Sequence, residues 1–148
     1  MIEIIYAILT FLILWMPAFY LHEICHLFEL RRQGSDGRID IWTHNGIPSM
    51  RCIITGKEPD NRYMFLLAGG FYSGLILLLL SAIFWYVPFL SVALGMLGLI
   101  NLTYSPYEML YKDKHNLDIY MRNKNIMYLI GIVIGLIIYS NMIMGMIF

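Results

Sequence analysis

The chain is poor in charge and in cysteine. Asp, Glu, Lys and Arg make up 14% of its 148 residues and the apolar set 59%, whereas a typical soluble domain is about 25% charged. So little charge cannot coat a water-soluble globule, and the composition points to a protein embedded in a membrane. Ten basic residues balance ten acidic ones, which excludes the basic excess that nucleic-acid partners select. Two cysteines, Cys25 and Cys52, are too few for a disulfide framework. At this length a single domain spanning 1–148 is expected.

What the chain does have is long runs without charge. A helix crosses a hydrocarbon core of about 30 Å with about 20 apolar residues. Residues 4–21 carry no charge and run on into His22, Glu23 and His26. Residues 63–107 carry neither charge nor histidine; as one helix they would extend roughly 67 Å, twice that thickness, so they must turn back once. Trp85-Tyr86-Val87-Pro88 is the expected turn, since proline interrupts helices and Trp and Tyr favour membrane interfaces. Residues 126–148 form the last run. The expected fold is an all-α membrane protein, a bundle of about four transmembrane helices near 4–30, 63–85, 89–105 and 126–148, solvated by the lipid bilayer.

The basic residues support that count. Arg31, Arg32, Arg38, Arg51, Lys57 and Arg62 lie between the first two runs, and Lys112, Lys114, Arg122 and Lys124 before the last. Four spans put both groups on one face, which the positive-inside rule makes cytoplasmic, with both termini outside. Ala68, Gly69, Gly70, Ser73 and Gly74 cluster in the second span and predict a face for close helix packing, as do Gly95 and Gly98 in the third. Within 37–54, Ile39, Ile41 and Thr43 alternate with polar neighbours and His44-Asn45-Gly46 supplies a turn, so a short cytoplasmic β-hairpin is expected between the first two spans.

The residues that carry chemistry are His22-Glu23-Ile24-Cys25-His26. Helix positions four apart share a face, so His22 and His26 can offer two imidazole nitrogens to one zinc ion, one per chain. Glu23, offset by about 100°, lies beside the metal as a general acid/base. Histidine and glutamate within a membrane span are costly and mark function. Glu29 is about 10 Å further along the axis, a poor ligand to the same ion, and contact with Arg32 is expected instead. A catalytic zinc takes a third protein ligand. Glu108, Asp113, His115 and Asp118 all qualify by donor class; Asp118 precedes a stretch able to start a helix, while Asp113 sits between two lysines and reads as solvated. Neither His44 nor His115 is assigned to the metal. Asn101 is a candidate to stabilise an oxyanion or fix a substrate, or alternatively to bond backbone at the end of the third helix.

The order of these features resembles the site-2 protease family of intramembrane zinc metalloproteases. Phe19-Tyr20-Leu21-His22-Glu23-Ile24-Cys25-His26-Leu27 is similar to that family's apolar lead into H-E-x-G-H. Ala68-Gly69-Gly70-Phe71-Tyr72-Ser73 stands where many members carry A-G-P-x-x-N. Asn101-Leu102, Pro106 and Asn116-Leu117-Asp118 resemble the N-x-x-P and L-D-G region. Cys25, Gly70, Ser73 and Ile119 depart from the family's Gly, Pro, Asn and Gly. The resemblance implies that His22, His26 and Asp118 hold zinc, that Glu23 is the catalytic acid/base, and that the substrates are membrane proteins cut in or near a membrane helix. A catalytically inactive, metal-binding membrane protein that holds partner helices is the alternative.

Overall fold

The computed structural model describes residues 2–44, 47–112 and 117–147, with backbone alone at 42–44, 47–49 and 117–122. Helix α1, Ile2–Arg32, follows the first apolar run, continues through Pro17 and carries His22, Glu23 and His26 in its last third. Its end is a Schellman turn. The Ser35 and Gly34 amides donate to Leu30 O (3.1 Å) and Arg31 O (3.0 Å), and Gly34 takes the positive φ of 72° that such a turn needs. Strands β1 (Gly37–His44) and β2 (Ile47–Ile54) then pair antiparallel, with Ile39 opposite Cys52. The expected hairpin is present, although the turn residues Asn45 and Gly46 lie outside the described residues.

Helix α2, Arg62–Ile83, starts at the N-cap Asn61, whose side chain accepts from the Met64 amide (3.0 Å). Gln33 ties the end of α1 to that start, its Oε1 accepting from the Asn61 amide (2.7 Å) and its Nε2 donating to Asn61 O (3.2 Å). The chain reverses after Phe84, and α3, Pro88–Tyr111, begins with Pro88 in its first turn. This is the expected reversal, with Trp85 and Tyr86 exposed. Helix α3 then runs further than expected, passing through Pro106 to Tyr111 rather than stopping near 105. The extension has a packing cause. Tyr104 and Tyr107 are buried against Met127 and Tyr128 of α4, so the turns beyond the proline still gain contacts. Glu108 therefore stands on α3, not on a loop after it.

The last run is also not one straight span. Helices α4 (Leu117–Ile138) and α5 (Ser140–Ile147) meet at 68°. At the break Tyr139 hydrogen-bonds through its hydroxyl to Ser81 (2.7 Å), and its ring occupies the space where a side chain on Gly95 would lie. Three helices, α1 to α3, are long and apolar enough to cross a membrane, and the bent α4–α5 pair makes up to four.

Polarity is inverted relative to a soluble protein. Ile13, Leu79 and Ile137 are 72%, 63% and 68% exposed, whereas His22, Glu23, His26, Glu29, Glu108 and the serines of α2 and α3 at 73, 81, 91 and 105 are buried. Each buried serine bonds: Ser105 Oγ to Leu67 O (2.7 Å), Ser73 Oγ to Gly69 O (2.6 Å), and Ser81 and Ser91 to each other's backbone carbonyls. An apolar exterior around satisfied polar groups suits a hydrocarbon solvent.

The small residues of α2 do form a packing face. A Cβ built on Gly70 would stand 2.5 Å from Asn101 O of α3, and one on Gly74 would stand 2.9 Å from Gly98 O. Gly70→Val should therefore push α3 away and cost about 1–3 kcal/mol, seen as a lower thermal unfolding midpoint in detergent. Gly145→Ala is the control, since a Cβ there meets nothing within 4 Å, and it should leave the midpoint unchanged.

Candidate metal centre

Helical spacing puts His22 and His26 on one side of α1, and tertiary packing supplies the rest. The two Nε2 atoms are 3.1 Å apart, and Glu108 Oε2 lies 3.0 Å from His22 Nε2 and 3.5 Å from His26 Nε2. All three residues are buried, and among the described residues they form the one group of three donors able to hold a metal ion.

The outer bonds of the histidines fix their tautomers. His26 Nδ1 lies 2.7 Å from Phe65 O, a carbonyl that can only accept, so Nδ1 carries the proton and the neutral ring presents a lone pair at Nε2. His22 Nδ1 lies 2.9 Å from Asn101 Oδ1 and Asn101 Nδ2 donates to Leu97 O (2.9 Å), while Ser73 Oγ, 3.1 Å from Asn101 Oδ1, shares its single proton between that oxygen and Gly69 O. That network orients the amide with its oxygen toward the His22 Nδ1 proton, so a neutral His22 ring presents a second lone pair at Nε2. A carboxylate oxygen is the third. Three acceptors at such separations repel unless a proton or a metal ion is shared between them. A tetrahedral ion bound at about 2.0–2.1 Å keeps its ligand atoms about 3.3 Å apart, and the observed 3.0 to 3.5 Å brackets that spacing. The residues fit a metal ion.

Close backbone approach makes room for this arrangement. A Cβ on Gly69 would collide with the His26 ring, so only glycine lets α2 pass there. The opposite side of Glu108 is held by Lys112, whose ammonium contacts Oε1 and whose amide donates to Glu108 O (3.0 Å). Burial alone would lower the Lys112 pKa, but Glu108 and Glu23 outweigh it and hold it above the usual lysine value. Glu23 is buried, and its Oε2 accepts from the Cys52 amide at 2.5 Å, so the hairpin edge reaches the centre. Burial, with the Glu23 carboxylate adding to it, pushes the Cys52 thiol up to about 11.

Of the residues named from sequence, His22, Glu23, His26 and Asn101 are brought together here. Asn101 bonds backbone, as one reading expected, but from the middle of α3, and it also orients His22. Asp118 stands in the first turns of α4 with its side chain outside what the structure describes, and Asp113 and His115 lie outside the described residues. Glu29 pairs with Arg32 through two bonds of 2.8 Å, as expected. Glu108 was one of four candidates and not the favoured one. A signal for it does exist, since Asn101, Tyr104 and Glu108 recur at three- and four-residue spacing on one face. Phe65 offers only its backbone carbonyl and leaves no side-chain signal.

No family model, curated protein or solved structure matches the chain.

The purified protein should carry one equivalent of a divalent metal ion per chain by elemental analysis. His22→Ala, His26→Ala and Glu108→Gln should each lose most of it, and Asn101→Ala should weaken binding by about 10–100-fold. Asp118→Asn should keep a full equivalent; its loss would bring Asp118 into the ligand set.

Proposed function

We propose that the protein is a zinc-dependent intramembrane endopeptidase acting on membrane-protein substrates. The observation that carries this reading is the convergence of His22, His26 and Glu108 on one point, with Glu23 next to His22 on the same helix. Two histidines and a glutamate are a donor set of catalytic zinc sites, and the resemblance to site-2 proteases points the same way. When bound, zinc supplies Lewis acidity and makes water a stronger acid.

The chain's own residues do the rest. Asn101 and the Phe65 carbonyl hold the two imidazoles in the tautomers that leave Nε2 available. Glu23 takes a proton from the attacking water and returns it to the nitrogen that leaves, so water adds across the C–N bond with no net proton change. Burial among apolar helices keeps bulk water out and strengthens each of these interactions.

A peptide bond inside a substrate helix is shielded by its own hydrogen bonds and must be presented extended. The hairpin is suited to that task. The Cys52 amide points away from β1 toward Glu23, and strand geometry turns the Met50 and Ile54 amides the same way, which offers an edge for a substrate strand beside the base. In this reading the basic end of the bundle, which carries the site, faces the cytoplasm, and both termini lie outside.

Cleavage of a panel of single-span membrane proteins in proteoliposomes tests the assignment. Glu23→Gln should keep its zinc and lose activity by about 10²–10⁴-fold. Cleavage by Glu23→Gln at the wild-type rate, or equally by zinc-free protein, would sink the protease reading. Met50→Pro, which deletes one outward amide, should slow cleavage with zinc content unchanged; an unaltered rate would remove the hairpin from substrate binding.

A further inference from the structure

Lys112 has no part in the scheme above, yet it is built into the centre. It is the C-cap of α3, one turn beyond Glu108, so its backbone amide and its ammonium engage the same residue. Glu108 is 1% exposed, and its two oxygens face different partners, Oε2 the pair of imidazole nitrogens and Oε1 the ammonium. We propose that Lys112 is a positioning residue that reserves Oε1 of Glu108, so that this glutamate meets a metal ion through Oε2 alone. The proposal rests on the metal-binding reading of His22, His26 and Glu108.

The chemistry follows from what a carboxylate can do. An ionised carboxylate offers two oxygens and coordinates cations through one or both. A charge-assisted bond to a buried carboxylate is strong, and here its donor is tethered in the same helical turn, so it competes effectively for Oε1. The same ammonium is felt by Glu23 on α1, Cys52 on β2 and Tyr128 on α4, which places it among the elements that enclose the centre. Two consequences follow. One-oxygen ligation leaves a coordination position open for a reacting group, as catalytic sites require and structural sites do not. Sharing Glu108 with a cation also makes it a weaker donor, so a bound ion is held less tightly and polarises its surroundings more.

The test uses the full-length protein in detergent, stripped with EDTA and titrated with Co²⁺ and, by competition, Zn²⁺. Wild type should bind one equivalent of Co²⁺ with the strong visible bands of a low-coordinate ion. Lys112→Met should keep that stoichiometry, show weaker bands as Glu108 closes on the ion with both oxygens, and bind Zn²⁺ tighter by on the order of tenfold. Lys112→Arg should behave as wild type. Should the Met variant not fold, by circular dichroism, Lys112→Gln is read in its place with the same expectation. Unchanged bands, or weaker Zn²⁺ binding as loss of a mere prop would give, overturns the proposal. Failure of wild type to bind either ion in stoichiometric amount overturns the metal-binding reading instead.

Discussion

Three electron-pair donors meet in the interior of an apolar bundle, and their mutual repulsion is relieved when a shared proton or a metal ion lies between them. The rest of the structure follows from holding them there. Each imidazole is committed on its far side, one to a backbone carbonyl of α2 and one to an amide side chain of α3, so neither can rotate its lone pair away. The carboxylate is pinned between the imidazoles and a lysine at the end of its own helix. Helices α1, α2 and α3 thus each contribute a part that the others cannot supply.

Bringing those helices close enough depends on what is missing from their side chains. Gly69 lets α2 pass against the His26 ring, and Gly70 and Gly74 let α2 lie on the α3 backbone at distances that any Cβ would prevent. Where helices pack in lipid they gain little from the hydrophobic effect between them, and there van der Waals contact at short range and buried hydrogen bonds would carry the association. Serines at 73, 81, 91 and 105 supply such bonds, and Ser73 does so within the network that orients His22. Packing and site are one construction, since the α2–α3 contact that brings the helices together also sets the orientation of a ligand.

Much of the architecture was legible in the residues. Charge-free runs located three helices, Pro88 and its aromatic neighbours located the reversal, and the alternation from Ile39 to Thr43 located the hairpin. The two departures share a cause. The apolar pattern ends the third span near 105 and makes the final apolar run one span, because a linear pattern follows hydropathy and not the contacts that extend or bend a helix. Packing of Tyr104 and Tyr107 on α4 carries α3 past its proline, and the Tyr139 hydroxyl on Ser81 accompanies the bend between α4 and α5. The longer α3 is what delivers Glu108 to the histidines.

Sequence by itself determined the pair of histidines and the neighbouring glutamate, because positions one and four apart on a helix have a fixed angular relation whatever surrounds them. It also determined that these residues sit in an apolar setting, since composition is independent of fold. Only the tertiary structure decided that Glu108 converges with them, that Asn101 and a Phe65 carbonyl fix the tautomers, and that the hairpin edge and Lys112 close the centre. Phe65, Asn101 and Glu108 lie 39 to 86 residues along the chain from the histidines they meet, and which of several chemically equivalent donors arrives is set by helix length and interhelical approach, quantities that no local spacing encodes.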